Sequence, residues 1–183
     1  MTPLLETERL WMRPLELSDA AQAQELFPRW EVVRYLTATV PWPFPEDGCY
    51  HYYADRALPA MERGEEWHWS LRLKENPEQM IGSIALLRGE NNRGFWLGVP
   101  WQRLGLMTEA AQRATEFWFE ELGFDRMCSP KAIENTGSVR VSEKTGMRLA
   151  RTGEHDYVSG RLPTEWWEIT REMWVTQRSN RSK

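Results

Sequence analysis

Residues 101–108 read Trp-Gln-Arg-Leu-Gly-Leu-Met-Thr, and they connect two stretches with different hydrophobic patterns. Before them lies a short apolar run, residues 94–99, which predicts a strand. After them, apolar residues from Met107 to Leu122 recur at steps of three and four, which predicts one face of a helix. The first turn of a helix has backbone N–H groups without partners and favours negative charge. The turn is therefore either a plain strand-to-helix connection or an anion site for a pyrophosphate, with Arg103 adding positive charge.

Length and composition predict one globular domain. The chain has 183 residues, a net charge of -4, 41% hydrophobic and 27% charged residues, and no apolar run long enough to span a membrane. Cys49 and Cys128 suit a reduced, cytoplasmic protein and form no metal-ligand spacing. The mild acidity argues against broad nucleic-acid binding. We expect residues 1–176 to form the domain and the basic residues 177–183 to be a disordered tail.

Periodicity and turn residues predict mixed helices and strands. Ser18-Asp19 is expected to cap a first helix, and Asn76-Pro77 and Asn91-Asn92 are expected to be turns. Residues 67–73 alternate, which predicts a strand with one buried face. The short connections predict an antiparallel meander. The predicted strands are 9–14, 67–73, 79–87, 93–99, 126–132, 147–152 and 166–171, the last two joined by a loop with Gly160 and Pro163. The predicted helices follow Ser18-Asp19, cover 30–36, cover 46–63 with a break near Pro59, run to Leu122, and run from Asn135 to Lys144.

Three stretches occur in the order and with the intervals of one known family. The first runs from Glu6 to Leu15 (ETERLWMRPL). The second joins Gly94-Phe95-Trp96-Leu97 to residues 102–110 (QRLGLMTEA), and the third runs from Asn135 to Met147 (NTGSVRVSEKTGM). Together they resemble the GNAT N-acetyltransferases, within them the branch of the ribosomal-protein N-terminal acetyltransferases RimJ and RimL. The resemblance extends over nearly the whole chain.

The resemblance implies an α+β fold with a mixed sheet of about seven strands, splayed between the fourth and fifth and flanked by helices. Acetyl-CoA is expected in that opening. The turn should hold the CoA pyrophosphate, and the end of the fourth strand should hydrogen-bond the pantetheine arm. Asn135 matches a pantetheine-contacting position, and Ser138 matches a position proposed to protonate the departing CoA thiolate. The expected cofactor-binding residues are Leu97, Gly98, Val99, Gln102, Arg103, Leu104, Gly105, Leu106, Met107, Thr108, Asn135 and Ser138.

Two departures from the family pattern bear on function. Arg103 stands where a glycine is frequent, and it can offer its N–H only if its backbone angles tolerate a Cβ. Many relatives carry a glutamate just before the fourth strand, where this chain has Asn92 or a neighbour. If a general base exists, it must therefore lie elsewhere.

Acetyl transfer to an amine needs a base, a donor to the developing oxyanion and an acid for the thiolate. A backbone N–H near residues 97–99 is the expected donor, and Ser138 is the expected acid unless its hydroxyl only binds its own helix. For the base we select Glu66 first and Glu65 second. The equal alternative is that these two glutamates are only a solvated pair at the end of a strand. The remaining candidates are His68 and His51 as bases and Tyr50, Tyr53 and Tyr157 as acids, whereas Cys128 is interpreted as structural.

The expected activity is direct acetyl transfer from acetyl-CoA to a primary amine. A protein N-terminal α-amine is the first choice of acceptor, and a polyamine, amino acid or antibiotic is the second. Glu65, Glu66, Asp47 and Asp156 are candidates to attract a cationic acceptor. A non-catalytic acyl-CoA-binding module on the same fold is the main alternative, and nucleic-acid binding through Arg178, Arg181 and Lys183 is a third. The sequence leaves monomer and homodimer open.

Overall fold

The computed structural model describes residues 1–181, with Arg181 described by its backbone alone. Its strands are β1 (Leu5–Glu6), β2 (Leu10–Pro14), β3 (Glu66–Leu73), β4 (Asn76–Leu87), β5 (Arg93–Leu97), β6 (Arg126–Ala132), β7 (Arg148–Tyr157) and β8 (Gly160–Thr170). Strands β1 to β5 form one sheet in chain order, and each is antiparallel to its neighbours. The other three form a second antiparallel sheet in the order β6-β8-β7. The mixed α+β class and the meander are therefore confirmed.

The helices are α1 (Ala20–Leu26), α2 (Trp30–Val33), α3 (Gly48–Tyr52), α4 (Leu58–Glu62), α5 (Leu106–Glu120), α6 (Thr136–Lys144) and α7 (Arg171–Arg181). The predictions of α5 and α6 are confirmed, and the Asn135 side chain caps α6 as expected. A π-helical turn, Tyr53–Ala57, separates α3 from α4, because Pro59 has no N–H with which to continue a regular α-helix. Among the described residues, no helix is long and apolar enough to cross a membrane.

The strand boundaries correct two expectations. The chain turns between β3 and β4 at residues 74–75 rather than at Asn76-Pro77, because Asn76 already pairs with Leu73. The predicted loop before the last strand is mostly strand, since β7 and β8 pair as far as Tyr157 and Gly160. The additional strand β1 is only two residues long, too short to carry a period-2 pattern.

Strand β3 is buried on both faces rather than on one. Trp67, Trp69 and Leu71 pack in the main core with α5. The opposite side chains, His68, Ser70 and Arg72, are buried as well, because helices from residues 17–62 cover that face. Arg72 is held there by Asp19, with 2.5 Å between Nη2 and Oδ1. The Asp19 side chain makes no capping hydrogen bond at the start of α1, where a cap was expected, and it anchors the first helical segment to the sheet instead.

The end of the chain corrects another expectation. Helix α7 continues through residues 177–181, which we expected to be disordered. The Gln177 side-chain amide donates to the Gly146 carbonyl at 2.9 Å, while Arg178 pairs with Glu120 and lies over the Trp174 ring. These contacts join α7 to the domain. Residues 182 and 183 lie outside the described residues, so the candidate nucleic-acid contact at Lys183 does too.

Candidate active site

The turn between β5 and α5 leaves a row of backbone N–H groups without partners. Residues 103–108 donate their N–H groups to no acceptor in the part of the chain that the structure describes. Arg103 and Gly105 both have left-handed backbone, with φ of 64° and 79°. Arg103 thus adopts the conformation in which glycine is usual. Residues 103–105 are exposed, as an anion site at a helix N-terminus requires, whereas the following Leu106 and Met107 are buried.

The turn is braced from the first sheet by Arg9, just before β2. The Arg9 Nε lies 2.7 Å from a carboxylate oxygen of Glu109, and its Nη1 donates to the Leu104 carbonyl at 3.0 Å. Burial opposes ionisation of Glu109, but hydrogen bonds from Thr7 and Arg9 outweigh it and lower the pKa of the carboxyl group. Arg9 also places positive charge beside the turn, since a Cβ on Gly105 would lie 3.5 Å from its Nη2.

Two expected donors are already used within the chain. The Gly98 N–H donates to the Ile81 carbonyl at 2.9 Å, which continues the pairing of β5 with β4. The Gln102 N–H donates to the Val99 carbonyl at 3.3 Å, because residues 99–101 form a short 3-10 turn. Neither residue can offer its backbone N–H to a cofactor as we expected. The row of free donors begins at Arg103.

The two sheets meet at one end of β5 and β6 and separate at the other. Asn92 binds Cys128 twice, with its N–H on the Cys128 carbonyl at 2.7 Å and its Oδ1 on the Cys128 N–H at 2.8 Å. One step along, the Ser129 hydroxyl donates to the Arg93 carbonyl at 3.0 Å. No backbone hydrogen bond joins the remainder of β5 to β6 within residues 1–181. The splay between the predicted fourth and fifth strands, here β5 and β6, is thereby confirmed, and Asn92 is structural.

The edge of β5 that faces the splay has free backbone groups. Gly98 and Asn92 both bond to β4 at the ends of the paired region. Because antiparallel pairs alternate, the backbone groups of Phe95 and Leu97 then point away from β4. The Leu97 carbonyl accepts the Gln102 side-chain amide at 3.0 Å, which leaves its N–H and both Phe95 groups available. An extended chain could therefore pair with this edge.

A cavity of about 620 Å³ lies at the splay. Glu66, His68, Asn135 and Ser138, from β3, the loop after β6 and α6, all line it. The Asn135 Oδ1 accepts the Ser138 N–H at 3.3 Å, whereas the Ser138 hydroxyl has no hydrogen-bond partner among the described residues. That hydroxyl is therefore not bound to its own helix, the alternative interpretation of Ser138.

Glu66 and His68 form a pair inside the cavity. The Glu66 carboxylate lies 2.5 Å from the His68 Nε2, and the His68 ring is almost fully buried while Glu66 is partly exposed. The two are i and i+2 on β3, so their side chains lie on the same face of the strand. Tyr52 packs edge-on against His68, and burial, followed by the Glu66 charge, raises its pKa to about 12. The arrangement is a carboxylate–imidazole pair, which can accept and hold a proton.

The other candidates are placed less favourably. Glu65 lines the cavity but pairs with Arg63 at 2.8 Å. His51 lies outside the cavity, where it pairs with Asp47 and with Asp55, which itself lines the cavity. Tyr53 and Tyr157 line the cavity, whereas Tyr50 is exposed outside it. Burial raises the pKa of the Cys128 thiol, which suits a structural cysteine. Within residues 1–181, no group of three His, Cys, Asp or Glu side chains could hold a metal ion.

One lining residue was missed from the sequence. Lys131, on β6, is only 8% exposed and its Nζ donates to the Ser129 hydroxyl at 2.7 Å. Burial and the nearby Arg93 lower its pKa to about 7. Arg93 itself is fully buried with hydroxyl and sulfur partners, and no carboxylate pairs with either cation among the described residues. The sequence signal that could have identified it is a charged lysine within the predicted strand 126–132.

The wall opposite α6 comes from the first part of the chain. Phe44 lines the cavity and packs edge-on against Phe27. The Pro41–Pro45 loop therefore both supports the helices and forms part of the cavity wall. The Leu36 carbonyl accepts the Val158 N–H and the Ala38 N–H donates to the Asp156 carbonyl, so this segment is joined to the end of β7. Asp47 and Asp156 are not among the lining residues, although they were candidates to attract an acceptor.

Comparison with known proteins shows the same fold in solved acetyltransferases and a curated relative in sequence. The curated relatives include a probable N-acetyltransferase, YjcK of Bacillus subtilis, 26% identical over 159 residues, which cover 78% of this chain and 82% of that protein. Among solved structures, the ribosomal-protein-S5-alanine acetyltransferase of Vibrio fischeri aligns with a TM-score of 0.77 at 15% identity, covering 94% of this chain and 98% of that one. The microcin C7 self-immunity acetyltransferase MccE, in complex with acetyl-CoA and AMP, aligns with a TM-score of 0.73 at 11% identity, covering 89% and 93%.

A family model supplies the assignment. The model described as "Acetyltransferase (GNAT) domain" matches residues 9–148, from the brace at Arg9 to the start of β7. This span includes the free N–H groups of the turn, the splay between β5 and β6, and both Glu66 and His68. The chain belongs to the GNAT acetyltransferase family.

Proposed function

We propose that this GNAT enzyme transfers acetyl from acetyl-CoA to a primary amine, with a protein N-terminal α-amine as the preferred acceptor. The observation that carries the proposal is the row of unpartnered N–H groups at residues 103–108, together with a cavity that holds a free hydroxyl and a carboxylate–imidazole pair. Strand β5 connects the two, because Phe95 lines the cavity, whereas residues 97–108 are not among its lining residues. An oriented row of amide donors is a fitting cradle for a diphosphate.

The chain's own groups suggest how the cosubstrate would be held. The N–H groups of residues 103–108 would bind the diphosphate, with the Arg9 and Arg103 charges close by. Phe95 and Leu97 would pair with the pantetheine amides, and Asn135 lines the same cavity as Phe95. When bound, acetyl-CoA supplies a thioester, which is an activated acyl group. The free Leu97 N–H would stabilise negative charge on the thioester oxygen.

Proton transfer is assigned to two groups. Glu66, with His68 beside it, would take a proton from the ammonium form of the acceptor, because a protonated amine has no lone pair for attack. Ser138 would deliver a proton to the departing sulfur through its unpartnered hydroxyl. Tyr157 is the reserve acid, although burial raises its pKa and its hydroxyl is 3.0 Å from that of Thr164.

The acceptor is the least constrained part of the proposal. A protein N-terminus is favoured by the RimJ/RimL-like resemblance and by the ribosomal-protein acetyltransferase among the similar structures. MccE, whose complex contains AMP, supports a small-molecule acceptor as the second candidate. The free thiols of Cys49 and Cys128 suit the cytoplasm as the location.

Thiol release from acetyl-CoA tests the proposal. The acceptor panel should contain peptides with a free N-terminus, the same peptides with a blocked N-terminus and no lysine, and polyamines and single amino acids. We expect repeated turnover with free-N-terminus peptides and no turnover with blocked ones. Release only with polyamines or amino acids would favour the second acceptor class. CoA binding by calorimetry without turnover on any amine would overturn the catalytic roles and favour an acyl-CoA-binding module.

A further inference from the structure

Lys131 is a buried amine that the proposed transfer reaction does not use. Its Nζ donates to Ser129 Oγ at 2.7 Å and lies 4.8 Å from the centroid of the Phe95 ring. The side chain therefore extends from β6 toward β5, across the opening of the splay. It lines the same cavity as Asn135 and Ser138.

The surroundings of Lys131 lower its pKa to about 7, so that a neutral amine is available near neutral pH. Burial is the main cause of its lowered pKa, followed by repulsion from the Arg93 guanidinium, while Cys128 has a small opposing effect. No carboxylate within the described part of the chain forms an ion pair with Lys131 that would hold its charge. A neutral amine has a free lone pair and is a nucleophile, as the acceptor amine is.

We infer that Lys131 is a self-acetylation site of this enzyme, a reading that rests on the proposed binding of acetyl-CoA in the splay. Lys131 Nζ attacks the thioester carbonyl carbon, so that a C–N bond forms and the C–S bond breaks. The attacking nitrogen loses one proton and the released sulfur gains one, giving Nε-acetyl-Lys131 and free CoA with no other reactant. The acetylated side chain remains in the splay and reduces the space for another acetyl-CoA.

Peptide mapping by mass spectrometry tests this directly. The full-length protein is incubated with acetyl-CoA and no acceptor, and acetylation of Lys131 is followed with time. We expect one acetyl group on Lys131, at a rate that saturates with acetyl-CoA. With a pKa of about 7, the rate should rise about tenfold from pH 6 to pH 8 and then level off. An amine at the ordinary lysine value would rise about 100-fold over that range without levelling. The exposed Lys144 is the internal control, and Lys131→Arg should remain unmodified.

A second readout does not depend on transfer from acetyl-CoA. The N-hydroxysuccinimide ester of acetic acid labels neutral amines, and CoA should protect Lys131 from it but not Lys144. Calorimetry on the same sample separates the two possible failures. Absence of CoA binding would overturn the proposed function together with this inference. Normal CoA binding with Lys131 unmodified, or with Lys144 acetylated equally fast, would overturn the inference alone.

Discussion

Two substitutions at Gly105 should distinguish the effect of charge on CoA binding from the effect of side-chain shape. Gly105 has φ of 79°, and a Cβ there would meet only the Arg9 Nη2, at 3.5 Å, which is ordinary contact. Asparagine and aspartate tolerate left-handed backbone better than other residues with a side chain. Gly105→Asn and Gly105→Asp therefore have nearly the same shape and differ by one negative charge in the proposed diphosphate site.

The cost of that charge can be worked out from Coulomb's law. One charge at about 6 Å from a diphosphate of about two charges costs about 1.4 kcal/mol in water, and about twice that at half the dielectric constant. Residues 103–105 are exposed, so the value nearer water applies. The Asp variant should thus bind CoA about 10-fold more weakly than the Asn variant.

Isothermal titration calorimetry with CoA measures this difference. The gap between the two variants should shrink in 1 M salt, where the Debye length is about 3 Å. Thermal melting of both variants checks that the fold is retained. Equal CoA affinity of Asn and Asp at low salt would refute the placement of the diphosphate at this turn, and a gap that salt does not change would refute its electrostatic origin.

Three further predictions concern the cavity. Ser138→Ala should lower kcat about 100-fold with little change in CoA affinity, and full activity in steady-state assays would reduce Ser138 to a structural residue. Glu66→Gln should also lower kcat about 100-fold, with partial recovery at high pH, where the acceptor amine is already neutral; a pH–rate profile without recovery would contradict a role as base. Lys131 has a folded pKa of about 7, below the unfolded value, so the unfolded chain binds more protons between these values and stability rises with pH there. Urea unfolding should therefore show that Lys131→Met gains more stability over wild type at pH 6 than at pH 9, and an equal gain at both would contradict a buried, titrating amine.

The parts of the fold that the sequence predicted well carry strong local patterns. Helix α6 begins after Asn135 as predicted because an N-cap side chain and a clear stop mark its ends. Strand β6 also has the predicted bounds. Strand β3 was misjudged because a sequence shows alternation but not which elements cover the second face. The hairpin at residues 157–160 was missed because Gly160 and Pro163 are usually loop residues.

The candidate site divides in the same way. The turn at residues 103–108 could be located because the strand, glycine and helix are neighbours in sequence. From the sequence, Glu66 and His68 were two separate candidates for the base. The structure shows that β3 places both side chains in one cavity and in contact with each other. The sequence could not show that Lys131 lies near Arg93, because the two residues are on different strands, β6 and β5, and come close only in the fold. Arg9 was part of a matched stretch, but its contact with the turn joins residues that are 95 positions apart in the sequence.

The central claim is that the free N–H groups of residues 103–108 bind the diphosphate of CoA. Two-dimensional ¹H–¹⁵N NMR of the protein titrated with CoA, and separately with pantetheine, measures these amides one by one. We expect CoA to shift their resonances and slow their hydrogen exchange, while pantetheine, which lacks the diphosphate, leaves them unchanged. Saturation of the protein with CoA while the amides of residues 103–108 keep their positions and exchange rates would contradict the claim.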